Sequence, residues 1–232
     1  VLGIALLSIL DKQELIMYKN MPDISISFTS NIPAEVFVDF TKAIQAEGLN
    51  LQIQERDTEG PFNILEWMVP TAAIVCIAKP YFDGFLGKMG EDHYEILRKG
   101  IGRLWAKFFG GDRVVPQRRI AQSGGNILRT EYTLSFSILT QSKDGRLIKL
   151  MLKEEISQQE YQDATDTFLT FIEGHHKGVE GTEIPKQFCS VGIDDRLFVT
   201  YDAVKKEIQF LDILPEHIRK ELIDKKSIHR TL

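Results

Sequence analysis

The sequence predicts an α+β fold: an N-terminal strand, helix and strand, then two apolar helices, then a C-terminal antiparallel sheet with one packed helix and a short terminal helix. Three observations point there. Apolar and polar residues alternate with period two around 24–28, 49–53 and 132–138, and apolar residues recur at three and four residue spacing in 94–108 and 161–171. The alternate strand positions are polar, unlike the continuous apolar strands of a sheet covered by helices on both faces.

Ile24, Ile26 and Phe28 alternate with Ser25, Ser27 and Thr29, the pattern of a strand with one buried face. Pro33 suits a first helical turn, Phe37, Phe40 and Ile44 follow at helical spacing, and Gly48 marks the stop. Leu49, Leu51 and Ile53 then alternate with Asn50, Gln52 and Gln54 as a second strand, so this unit suits a parallel crossover. Residues 62–89 are almost wholly apolar and read as helical, kinked or restarted at Pro70 and Pro80. A second helix carries Tyr94, Leu97, Ile101, Leu104, Trp105 and Phe108, with Arg98, Lys99, Arg103 and Lys107 interleaved, and is therefore basic and amphipathic.

Residues 111–130 hold glycines and Pro116 and read as a basic loop or linker between an N-terminal part (1–110) and a C-terminal part (131–232), which together suit one compact domain equally well. Beyond it, alternation around 132–138 and 148–152 with Lys143, Asp144 and Gly145 between them forms a hairpin. Ser157 and Glu160 make a capping box, Tyr161, Ala164, Phe168 and Phe171 mark the helix, and Gly174 ends it. Short strands are expected around 188–193, 196–201 and 206–211, then a short helix from Pro215.

Composition narrows the function classes. With 232 residues, 43% of them hydrophobic, a sizeable core is available, and a net charge of -5 is far from the composition of disordered chains. Two cysteines, without CxxC or histidine at ligand spacing, argue against a disulfide frame or a zinc module. The apolar residues 1–10 lack the basic start and small-residue cleavage site of a secretory signal, so a cytoplasmic location is expected, with attachment to the periphery of a membrane as the alternative.

Charge supplies the leading functional expectation. Between residues 96 and 130 stand eight Lys or Arg against one acid, Asp112, inside an acidic chain. Such a segment suits an anionic partner: a phosphorylated ligand, an acidic protein or a lipid surface. Arg113, Arg118, Arg119 and Arg129 would supply charge, while Ser123, Gly124 and Gly125 would offer converging backbone N–H groups. A solvated connector has the same composition. The expectation is a nonenzymatic binding or regulatory protein acting through residues 98–129, with no cofactor and no metal.

Two other classes compete. The apolar 62–89 stretch and the basic helix, with Trp67, Arg98, Lys99, Arg103, Trp105 and Lys107 as a membrane or partner surface, suit a membrane-docked effector. The longest uncharged run, 67–78, is too short to span a bilayer, and the same helices suit a core or a seam between copies. A metal-dependent hydrolase or nuclease would be built from Glu91, His93 and Glu95, or from Asp194 and Asp195, although acids at a helix start and an Asp pair in a turn account for both. His175 and His176 suit capping of a helix C-terminus. Gly100 and Gly102 have Trp105 where a dinucleotide loop needs its third glycine, no GxxxxGK or GxSxG occurs, and no aromatic strand pattern supports direct nucleic-acid recognition.

Overall fold

The computed structural model describes residues 22–56, 71–111, 113, 115, 120–121, 127–128, 132–185 and 197–211. Its strands are β1 (Ile24–Thr29), β2 (Leu51–Arg56), β3 (Ala73–Ile77), β4 (Ile120–Ala121), β5 (Ile127–Leu128), β6 (Phe136–Gln141), β7 (Leu147–Leu150), β8 (Leu197–Asp202) and β9 (Glu207–Leu211). The helices are α1 (Val38–Ile44), entered through a 3-10 turn, α2 (Leu86–Met89), entered through a π-helical turn Tyr81–Phe85, α3 (Glu91–Phe108) and α4 (Gln158–Lys177).

The fold is α+β around one mixed seven-stranded sheet in the order β2-β1-β3-β6-β7-β8-β9, with β4 and β5 forming a separate small pair. Three parallel neighbours, β1 with β2, β3 with β6 and β7 with β8, are each joined through helix. Antiparallel pairings of β1 with β3, β6 with β7 and β8 with β9 complete the sheet.

Register explains where the core lies. Ile26 pairs with Val75, Val75 with Ile138, Ile138 with Leu150 and Leu150 with Val199, so every second residue of five strands looks to one face. Those residues share a single apolar cluster with Phe40, Leu97, Ile101, Phe108, Phe168 and Leu169 of the helices. The other face carries a smaller cluster of Cys76, Leu139 and Leu147 with Ile74. The helices lie side by side, α3 packing against both α1 and α4.

Three sequence expectations need correction. Ala73–Ile77 is a strand inside the sheet, not part of an apolar helix. Its two faces are both covered, so it reads as an uninterrupted apolar run that periodicity cannot tell from a buried helix. The helix expected to stop at Gly174 continues to Lys177 and is capped by Gly178 at φ +75°, while a Cβ on Gly174 would stand 2.8 Å from Thr182 Cγ2. Gly174 thus serves close packing and Gly178 the left-handed cap. The C-terminal strands are not purely antiparallel, because β7 and β8 run parallel across α4. The capping box and the strands β1, β2, β8 and β9 lie where the sequence places them, and a hairpin turns at Lys143–Gly145 as expected, but β6 starts at Phe136, four residues after the alternation begins, with Tyr132 in an isolated bridge to Lys153. The strand expected around 188–193, most of residues 62–71 and the short helix from Pro215 fall outside the described residues.

Candidate functional site

Helix α3 is the middle helix of the layer, and its sequence sorts its sides. Tyr94, Leu97, Ile101, Leu104 and Phe108 are buried in the core. Toward α1, Gly100 lies so close to Phe40 that a Cβ would stand 2.9 Å from its ring; toward α4, a Cβ on Gly102 would stand 2.5 Å from Gln162 Oε1. The two glycines read in sequence as a failed nucleotide loop are therefore seats for neighbouring side chains.

The outward side of α3 carries Asp92 and Glu95 in its first turns and cations thereafter. Lys99, Arg103 and Lys107 are all exposed and recur every four residues, which puts successive cations about 6 Å apart along the helix. None of the three forms an ion pair with a described residue. Ile96, one turn before Lys99, is an exposed apolar residue on the same side. Arg113, beyond the helix, is exposed as well.

The rest of the expected surface divides. Arg98 is half-buried and spent internally, at 3.4 Å from Glu95 and 3.4 Å from Asp166 of α4. Trp105 packs against the core and donates its indole N–H to the Ile156 carbonyl at 3.2 Å. Arg98 thus joins α3 to α4, and Trp105 joins α3 to the segment that leads into α4. Trp67, Arg118, Arg119, Ser123, Gly124, Gly125 and Arg129 lie outside the described residues, as do Asp194 and Asp195.

His93 is not open to a ligand. It is buried, with Nδ1 3.0 Å from the Tyr81 hydroxyl and Nε2 2.8 Å from the Ile44 carbonyl. Since the carbonyl can only accept, Nε2 carries the proton and Nδ1 accepts from Tyr81. Burial, reinforced by the negative charges of Glu173 and Asp23, pushes the Tyr81 phenol well above its ordinary value, so it stays a donor. Glu95 is exposed and paired with Arg98, and no group of three potential metal ligands occurs among the described residues. A shallow depression between β7, β8 and the start of α4, lined by Met151, Lys153, Ile156, Glu160, Thr200 and Tyr201, holds no more than a water molecule. No helix among the described residues is long and apolar enough to cross a membrane.

One arrangement was not legible as such in the sequence: the pair His175 and His176 reaches two different segments at once, Thr182 and Gln141. The only signal was two polar rings in the last turn of a helix. No protein-family model, curated protein or solved structure matches this chain.

Proposed function

We propose that this protein is a nonenzymatic binding or regulatory protein that engages an anionic partner through the basic segment 98–129, with the outer side of α3 as its rigid part. The observation that carries the reading is the line of Lys99, Arg103 and Lys107, exposed on consecutive turns and without an acidic partner among the described residues. In a chain of net charge -5, an uncompensated basic line on a helix braced by two neighbours favours association with negative charge and steers it over long range. Arg98, which is neutralised within the fold, contributes position rather than charge. Arg113 adds to the exposed charge, and in the proposal Arg118, Arg119 and Arg129 of the same basic segment would supply further charge and Ser123, Gly124 and Gly125 backbone donors. The cytoplasm is the proposed location. Because the apolar side of α3 faces the sheet, contact with a membrane periphery would be electrostatic, not insertion.

The test is retention on immobilised heparin and flotation with phosphatidylserine vesicles, each across a salt series. The wild-type protein is expected to be retained and then released by salt. The triple variant Lys99→Glu, Arg103→Glu, Lys107→Glu should pass through unretained at unchanged thermal stability, since exposed substitutions usually alter stability by less than about 0.5 kcal/mol each. Equal retention of variant and wild type, or no retention of either, would overturn the reading.

A further inference from the structure

β2 is one edge of the seven-stranded sheet and pairs with β1 alone. The Ile24 N–H donates to the Asn50 carbonyl at 3.2 Å and the Ser30 N–H to the Arg56 carbonyl at 2.9 Å, so the even-numbered residues of this stretch turn their backbone groups toward β1. Leu51, Ile53 and Glu55 therefore point their N–H and C=O groups out of the sheet. Among the described residues, nothing bonds to these groups from the open side.

The side chains of the strand are as open as its backbone. Gln52, Ile53, Gln54 and Glu55 are all exposed, Ile53 at 50%. Leu51 pairs with Ile24 and Ile53 with Ile26, both core residues, so the apolar side of β2 lies on the helix-covered face, and there Val38 of α1 is exposed as well. Edge strands are ordinarily guarded by lysine, proline or a bulge. β9, the opposite edge, follows Lys205 and Lys206 and opens with Glu207, whereas β2 is uncharged from Leu51 to Gln54 and contains no proline.

We propose that β2 is a dimer edge, pairing antiparallel with β2 of a second copy of this chain about a two-fold axis at Ile53. The strand is complementary to itself in that register, as an isologous contact requires. Ile53 meets Ile53 of the second copy and exchanges both backbone hydrogen bonds with it, Leu51 lies opposite Glu55, Gln52 opposite Gln54, and Asn50 opposite Arg56. All three outward residues are then engaged, and no like charges face each other. Centring the axis on Gln54 would engage only Ile53 and Glu55, and centring it on Glu55 would set two carboxylates opposite, which is destabilising. The axis stands perpendicular to the sheet, so the two seven-stranded sheets join with both helix layers on one side. Two α3 helices then face the same way.

The test is sedimentation velocity over about a hundredfold range of protein concentration, with amide hydrogen exchange measured at both ends of the range. The protein is expected to be a dimer at the upper end, and the amides of Leu51, Ile53 and Glu55 to gain protection with dimerisation. Those of Gln52 and Gln54, which face β1, should be protected throughout. Ile53→Lys sets two cations opposite at the axis and should raise the concentration of half-dimerisation by about tenfold or more. An equal mixture of Ile53→Lys and Ile53→Glu should recover the dimer that neither forms well alone, which damage to the fold would not do. A protein monomeric across the range, a dimer indifferent to Ile53→Lys, or a mixture that stays monomeric would overturn the proposal. So would protection of Leu51, Ile53 and Glu55 in the monomer, which would place another segment on this edge. None of these readouts involves an anionic partner, so they stand or fall separately from the binding reading.

Discussion

His93 joins three segments through one ring: the Tyr81 hydroxyl of the π-helical turn, the Ile44 carbonyl at the end of α1, and the helix α3 that carries it. Replacing it with phenylalanine would keep the ring volume but strand a buried hydroxyl and a buried carbonyl. The cost of unpaired buried groups puts the expected loss at about 1–3 kcal/mol, read from the urea midpoint. An unchanged midpoint would mean that both groups find other partners. Tyr94 and Tyr161 are held in the same manner, donating to the Leu169 carbonyl at 2.6 Å and the Ile101 carbonyl at 3.0 Å. Burial is the largest cause raising both phenols, as it is for Tyr81. Their contribution to stability is complete below about pH 10 and is lost as pH rises toward their folded-state values. Spectrophotometric titration should therefore leave Tyr81, Tyr94 and Tyr161, three of the six tyrosines, un-ionised until alkaline unfolding, whereas free titration of all six near pH 10 would contradict their burial.

Helix α4 begins on a reciprocal cap, with Ser157 Oγ accepting from the Glu160 backbone N–H at 3.2 Å and Glu160 Oε2 accepting from the Ser157 backbone N–H at 3.2 Å. The Ser157 hydroxyl, donating to Glu160 Oε2 at 2.9 Å, holds the Glu160 carboxyl below its ordinary value, with the Ser157 backbone N–H as the second cause. Ser157→Ala should cost about 0.5–2 kcal/mol and let the Glu160 midpoint rise, two readouts that a change elsewhere in the helix would not move together. The contact between α1 and α3 is more exacting. Gly100→Ala would press a methyl into the Phe40 ring, and overpacking of that kind is expected to lower stability by about 1–3 kcal/mol without altering the helix content seen by circular dichroism. At the level of elements, spacing carried most of the information. Residues 24–29 alternate buried apolar with half-buried serine and 91–108 expose one polar side, so both display their period, while 73–77 are apolar throughout and display none. The β-branched Ile74, Val75 and Ile77, bounded by Pro70 and Pro80, were the available strand signal.

Across the whole molecule, the pairing of β3 with β6 joins strands separated in sequence by the basic 98–129 segment, so one sheet runs through both ends of the described chain. That continuity predicts a single cooperative transition, with far-ultraviolet and near-ultraviolet signals coinciding in a urea titration; separated transitions would show that the two parts unfold independently. The same continuity seats α3 between α1 and α4, which is what turns a basic amphipathic sequence into a fixed line of three outward cations.

By itself the sequence determined the α+β class, the hairpin turn, the capped helix and the basic character of α3, because each depends on local spacing, caps and turns, while the parallel pairing of β1 with β2 was only compatible with it. Only the tertiary structure decided the sheet order, the strand at 73–77, and which cations remain available. Arg98 and Lys99 are neighbours of like charge in the sequence, yet one is neutralised by Asp166 and the other faces outward. Likewise His93 and Trp105 carry reactive or interfacial chemistry in the abstract, but here their polar atoms are consumed by the Ile44 and Ile156 carbonyls. The physical reason is common to all of them: a side chain's partners come from segments distant in sequence, and local spacing carries no record of which segment arrives.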